Sequence, residues 1–409
     1  MANKPDSRLD DRQRFDWLRL VRSENVGPRT FRALVTNCGG VVGALNALPE
    51  LARRGGAKRP IRIASVEEVE KELIAARKLG VRFVALGEPD YPPALQEIDS
   101  APPILALRGH AAALRKAAVA IVGSRNASAA GLTFAERLAR SLGQAGYIVV
   151  SGLARGIDQR AHVATLETGA VGVLAGGHGK PYPSEAVPLM ERMIGSGAVL
   201  SEMPIEWEPR GRDFPRRNRI VSGLALGVVV VEAARGSGSL ITARFALEQN
   251  RQVFAVPGSP LDPRAEGAND LLKQGALICT GVDDVVTALQ PMRSDDLGAM
   301  RESGGEPGEP LWGEQDLYGV DPQSTPRTRP SEEFDDASGA PYKAGEEADA
   351  ARERILALLS PSPITLDELV RAAEASPRAV RVALLELEVA GRVEYSGERV
   401  ALRPPATET

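Results

Sequence analysis

Between residues 117 and 290, short apolar runs alternate with longer amphipathic ones, and this rhythm constrains the fold more than any other feature. The runs are Val119–Val122, Tyr147–Val150, Val171–Leu174, Ala198–Leu200, Val228–Val231, Val253–Val256 and Leu277–Cys279. Helical stretches such as Ala129–Ala145, Asp158–Thr168, Arg216–Ala225 and Leu240–Gln249 lie between them. A strand buried on both faces is continuously apolar, and Val228–Val231 has that form. The alternation predicts an α/β domain with a doubly wound, Rossmann-like parallel sheet.

Ligands on such sheets bind beyond the carboxyl ends of the strands, where loops meet helix N-termini. The first strand runs into Gly123-Ser124-Arg125-Asn126, with a helix starting near Ser128. Glycine lets the backbone approach a ligand, Ser124 offers a hydroxyl, and Arg125 places a cation by a helix N-terminus, which suits phosphate. The second strand ends in Ser151-Gly152-Leu153-Ala154-Arg155-Gly156-Ile157-Asp158, where Asp158 is expected to cap the next helix. Gly152 and Gly156 there serve either a ligand or simply a tight strand-to-helix turn. Gly176-Gly177-His178-Gly179 and Pro257-Gly258-Ser259 form further loops. After the fifth strand, Gly236, Ser237, Gly238 and Ser239 expose amides and hydroxyls at another helix start, and Glu232 is a candidate general base, cap or brace.

The most charged segment, Arg210-Gly211-Arg212-Asp213-Phe214-Pro215-Arg216-Arg217-Asn218-Arg219, sets five arginines against one aspartate. Cations at that density repel unless an anion neutralises them. Phe214 adds a ring on which a base can stack. These loops predict anion binding, with several phosphates in a row favoured over one nucleotide. The alternative is a solvated arginine face on a surface helix.

Catalytic signatures are missing from the sequence. There is no Gly-x-Gly-x-x-Gly dinucleotide fingerprint, no P-loop and no Gly-x-Ser-x-Gly elbow. Two cysteines, Cys38 and Cys279, exclude a disulfide framework, and three histidines make a metal site thin. No cofactor, metal or catalytic residue is expected. No apolar run approaches the ~18 residues of a membrane span, and Met1–Asp16 is too polar for a signal peptide. A cytoplasmic protein is expected.

Four domains are expected: 12–80 helical, 81–290 Rossmann-like, 291–347 an acidic disordered linker and 348–409 a winged helix. Phe15, Trp17, Leu18 and Val21, then Phe31, Leu34 and Val35, recur at helical spacing around Asn25-Val26-Gly27-Pro28. That is either a helix-hairpin-helix (or sterile-alpha-motif-like) unit, whose turn amides approach phosphate, or an ordinary αα-hairpin. Residues 295–347 hold eight Gly and six Pro, at the level expected of disorder. Trp312 there is a docking residue or a solvated linker residue. In the last block Thr365 with Glu368 forms a capping box, Ser376 and Pro377 start a third helix, and Val393–Tyr395 pairs with Arg399–Leu402. The third helix carries Arg378 and Arg381 but also Glu386 and Glu388, leaving groove reading and protein docking equally open.

The net charge of −4 argues against nucleic acid only as an average. Residues 295–347 hold 14 acidic and four basic residues, so the other 356 residues carry +6.

Together these segments resemble the DprA (Smf) family of DNA-processing proteins. The resemblance rests on Gly123-Ser124-Arg125, on Ser151–Asp158 and on Phe214-Pro215-Arg216-Arg217-Asn218-Arg219-Ile220-Val221-Ser222-Gly223. Val231-Glu232-Ala233, Ser237–Ala243, Val253–Gly258 and Tyr91-Pro92-Pro93-Ala94-Leu95 add to it. It implies a non-enzymatic protein that binds single-stranded DNA, protects incoming DNA during natural transformation, dimerises through the sheet domain and helps load the RecA recombinase. On that resemblance Arg125 and Arg216–Arg219 line the DNA pocket. Some relatives carry a lysine just after the equivalent of Tyr182-Pro183; this chain has Ser184 there and Lys180 nearby. Two other functions compete. One is a nucleotide-binding or nucleoside-monophosphate-cleaving enzyme, although its Pro-Gly-Gly-x-Gly-Thr loop is only loosely matched by Gly236–Ser239. The other is a transcription regulator led by the winged helix.

Overall fold

A computed structural model describes residues 8–293, 346–396 and 399–403. The expected linker, with Trp312, lies almost wholly outside them. The chain divides into two compact units, residues 8–10 with 70–293 and residues 11–69 with 346–403.

In chain order the elements before the sheet are α1 (Asp11–Val21), α2 (Pro28–Asn37), α3 (Val41–Arg54) and α4 (Val66–Lys78). The sheet unit continues with β1 (Arg82–Ala85), α5 (Pro93–Gln96), β2 (Ile104–Gly109), β3 (Ala118–Val122), α6 (Ala129–Gln144), β4 (Ile148–Ser151) and α7 (Ile157–Ala164). Then come β5 (Ala170–Val173), α8 (Val187–Met193), β6 (Ala198–Ser201), α9 (Asp213–Gly223), β7 (Gly227–Val230) and α10 (Gly238–Glu248). β8 (Gln252–Ala255), α11 (Glu266–Lys273), β9 (Leu277–Ile278) and α12 (Val282–Leu289) complete it.

The nine strands lie in the order β1-β2-β6-β5-β4-β3-β7-β8-β9. From β6 to β9 every pair is parallel, so the alternating segment folds as its pattern predicts. Ahead of the alternating segment, β1 and β2 join antiparallel to each other and to β6, making the whole sheet mixed. These two strands precede the βα repeat, and no crossover helix marks them in the sequence.

Strand order changes direction between β3 and β7: β4 to β6 are added on one side of β3, and β7 to β9 on the other. Right-handed crossovers then place α6 and α10 on opposite faces. On one face Val119, Ile121, Val149, Val229 and Phe254 pack against Leu138, Leu142, Ile157, Val285 and Leu289 of α6, α7 and α12, all buried. No helix among the described residues is long and apolar enough to cross a membrane.

In the second unit α1, α2 and α3 pack together, with Trp17 and Phe31 4.9 Å apart at their ring centres. The remaining elements are α13 (Glu346–Leu358), β10 (Ile364–Thr365), α14 (Leu366–Ala373), α15 (Pro377–Val389), β11 (Val393–Ser396) and β12 (Arg399–Leu402), a winged helix. Thr365 and Glu368 cap α14 reciprocally, and the Ser376 hydroxyl accepts from Ala379 N at 3.3 Å. β10 pairs with β12 as a third strand that the sequence reading did not assign.

Candidate nucleic-acid interface

The crevice where strand order reverses, between the carboxyl ends of β3 and β7, is the place such sheets use for ligands. The Gly123–Asn126 loop follows β3 and the Glu232–Ser239 loop follows β7, and Glu232 joins them. Its two carboxylate oxygens accept from the Ser128 amide (2.9 Å) and hydroxyl (2.5 Å), while that hydroxyl caps α6 through Gly131 N. Of the three roles open to Glu232, these hydrogen bonds show the cap: both oxygens are engaged on Ser128, at the start of α6. The Ser237 hydroxyl accepts from Ser239 N (3.4 Å) and lies 2.8 Å from the Ser239 hydroxyl, so these groups cap α10, whose first residue is Gly238. Ser124 Oγ accepts from Asn126 N, shaping the β3 loop. Gly156 sits at φ +81°, and a Cβ there would lie 2.4 Å from the Ser124 carbonyl oxygen, so the turn needs glycine.

α9 descends from the carboxyl edge toward the start of β7, so its first two turns lie among these loops. Asn218 Nδ2 donates to the Gly238 carbonyl at 3.1 Å, tying α9 to the start of α10. The five arginines of this segment have separate fates. Arg217 is only 6% exposed; its Nη1 donates to the Gly152 carbonyl at 2.5 Å and to that of Val173. Burial pushes its pKa down to about 10, still cationic at neutral pH, and Asp158 acts against that fall. Asp158, buried beside it, accepts from Gly152 N (3.1 Å) and Ala154 N (3.3 Å). It thus braces the preceding loop, while the N-cap of α7 is Gly156. Burial raises the Asp158 pKa and the Arg217 charge opposes that rise.

Arg219 is also buried, donating to the Ser100 carbonyl and to Glu202. Arg216 Nε contacts the same Glu202 at 2.8 Å with its side chain half exposed. The anion that neutralises this part of the cluster is therefore internal. Glu202, at the end of β6, was missed in the sequence reading; a charged residue directly after a buried apolar strand is the signal that marks it.

What faces outward is different in kind. Exposed Arg125 lies over the Phe214 ring, 5.5 Å from its centre and within cation–π range. Tyr182, 53% exposed, meets the same ring edge-on at 5.4 Å and 75°. Further along, Arg210 lies 5.0 Å over Trp207, whose Nε1 donates to Asp213. The loop bearing exposed Lys180 is fastened there, since Gly177 N donates to the Trp207 carbonyl and Gly179 N to that of Ile205. Three aromatic rings beside exposed cations suit a chain of stacked bases with phosphates between them. Arg210 belongs to the charged segment read from the sequence, whereas Tyr182 and Trp207 enter the surface only through the structure.

Among the described residues no three His, Cys, Asp or Glu side chains gather as a metal site. Burial raises Cys38 to about 11 and Cys279 to about 12, so both stay thiols at neutral pH.

Three family models match the chain in order: "DprA-like N-terminal HHH domain" over residues 11–75, "DNA recombination-mediator protein A" over 82–290 and "DprA winged helix domain" over 339–397. The chain is 40% identical over 225 residues to the DNA processing protein DprA of Bacillus subtilis, covering 54% of this chain and 76% of that one. It is 30% identical to the protein Smf of Synechocystis over 92% of this chain and 95% of that one. The crystal structure of DprA from Streptococcus pneumoniae superposes with a TM-score of 0.57 at 31% identity, covering 68% of this chain and 98% of that one.

Proposed function

Because the chain belongs to the DprA (Smf) family, we propose that its sheet unit binds single-stranded DNA along the Arg125–Phe214–Tyr182 surface, without catalysis. The observation that carries this reading is a cation stacked on an accessible aromatic ring at the sheet's reversal point. Arg125 and Lys180 meet phosphates, Phe214 stacks a base, and Arg216 lies at the rim. Arg217 and Arg219 act from inside by holding α9 and the loops in place. Gly123, Ser124, Asn218, Ser237, Gly238 and Ser239 shape the backbone that approaches the strand. In the cytoplasm, such a protein would shield incoming single strands and help RecA load onto them, working as a homodimer through the sheet unit.

Binding to an oligothymidine, followed by fluorescence anisotropy, is expected to be sequence-tolerant. With about four phosphates neutralised, the log–log salt slope is about −3, from roughly −0.7 per phosphate. Arg125→Ala combined with Lys180→Ala reduces the slope by about 1.4 on the same basis. A flat salt response, or unchanged affinity in this double variant, overturns the assignment.

Phe214→Ala separates stacking from charge. It is expected to weaken binding by about 1–3 kcal/mol per stacked base while leaving the salt slope unchanged. A change of slope without loss at fixed salt would mean that Phe214 only positions Arg125.

A further inference from the structure

The second unit contains an interface that the DNA reading does not use. α15, the helix that reads the major groove in many winged helices, is buried on both sides over its second half. Val380, Ala383, Leu384 and Leu387 face the winged-helix core. Leu385, Glu386 and Val389 are equally buried but lie outside that core, on the side where α15 packs against α2 and α3.

The contact is specific. Glu386 is fully buried between two arginines: Arg54 Nε at the end of α3 lies 2.7 Å from Oε1, and Arg352 Nη1 of α13 lies 2.6 Å from Oε2. Asp349 bridges both arginines. Asn25, in the Gly-Pro turn, donates through Nδ2 to the Val389 carbonyl at 3.0 Å. Arg29 lies 5.7 Å over the Tyr395 ring. The turn whose amides offered a phosphate site thus directs the Asn25 side chain into the winged helix, and α2 directs Arg29 there.

Gly55 shows how closely the two parts approach. Its backbone, at φ −68°, is accessible to any residue, yet a Cβ there would lie 2.0 Å from the Glu386 carbonyl oxygen and 2.7 Å from Ala390 Cβ. Glycine is required here by the neighbouring helix and not by its own conformation.

We propose that α15 is a docking helix for this chain's own N-terminal helical domain, latched by Arg54–Glu386–Arg352, and that it is thereby withheld from duplex DNA. A buried ion pair flanked by hydrogen bonds sets register and partner even where its net stabilisation is small. Seating the second half of α15 in a groove would require the latch to open and would leave Glu386 without Arg54.

Hydrogen exchange on the intact chain tests the latch. Amides 383–390 are expected to exchange slowly in the wild type and at least ten-fold faster in Gly55→Val, with the sheet and α1 unchanged. Arg54→Ala, which introduces no wedge, is expected to move the same amides by a smaller factor of about three. Wild-type exchange at 383–390 in both variants would overturn the docking. A duplex gel shift tests the second half: Arg378→Ala with Arg381→Ala is expected to change duplex affinity less than two-fold. A ten-fold loss would show α15 reading DNA in the latched chain and overturn its withholding.

Discussion

Arg217→Ala is expected to destabilise the sheet unit by about 3–5 kcal/mol, the usual cost of stranding a buried charge without its partner. The guanidinium holds the Gly152 and Val173 carbonyls, at the ends of β4 and β5, and offsets the buried Asp158. Its removal takes a donor from two carbonyls and leaves the Asp158 carboxylate without its counter-charge, held by hydrogen bonds from Gly152 N, Ala154 N and the Ser151 side chain. In urea, with slopes of roughly 1–3 kcal/mol per molar, the midpoint falls by a molar or more. Arg217→Lys keeps a charge and N–H donors but lacks the planar guanidinium that reaches both carbonyls from α9, so it lies between. Asp158→Asn in the Arg217→Ala background is expected to restore part of the loss, giving a non-additive cycle. Arg125→Ala, at an exposed site, leaves the stability within about 0.5 kcal/mol of wild type. Were Arg217→Ala to reduce DNA affinity at unchanged stability, Arg217 would be a DNA ligand and the bracing role would fail.

That contrast marks where sequence reading stops. The parallel strands were legible because burial on both faces writes an unbroken apolar run, as in Val228–Val231. Thr365 with Glu368 and Ser376 were legible because a cap acts within three residues of its helix. The direction of an arginine was not. Arg216, Arg217 and Arg219 read as one cationic patch, yet two of the three turn inward to groups fixed by strand order. The Gly152 and Val173 carbonyls reach Arg217 because β4 and β5 are neighbours, and Glu202 reaches Arg219 from the end of β6. Such partners are remote in sequence, so a local charge count recorded a surplus that the fold neutralises. Glu386 repeats the point: on a helical wheel it belongs to the solvated face, and only a second domain buries it.

Acid is expected to unfold the sheet unit well above the pH at which ordinary carboxylates titrate. His162 and His178 are buried at 0% and 3% exposure, and burial pushes their pKa values down to about 3 and about 4. The Arg217 charge acts in the same direction on His162, as Arg108 does on His178, while His178 Nε2 keeps a 3.1 Å contact with the Ala106 carbonyl. In the unfolded chain both rings take up a proton near pH 6.5. Below that pH the unfolded state binds about two more protons than the folded one, so stability falls as pH falls. The limiting slope is ~1.4 kcal/mol per unit for each ring, or about 3 kcal/mol for the pair between pH 6.5 and 5. The loss continues until the folded values are reached, near pH 4 for His178 and pH 3 for His162. Asp158 works against this trend, because its raised folded value makes the folded chain take up a proton earlier than the unfolded one. Urea midpoints at pH 7, 6 and 5 measure the slope. His162→Phe and His178→Asn are each expected to remove about half of it, whatever each costs at pH 7. A midpoint that stays level from pH 7 to 5 would mean that these rings gain protons in the folded chain, which requires water or an anion to reach the floor of the sheet beneath the loops at the carboxyl ends of its strands.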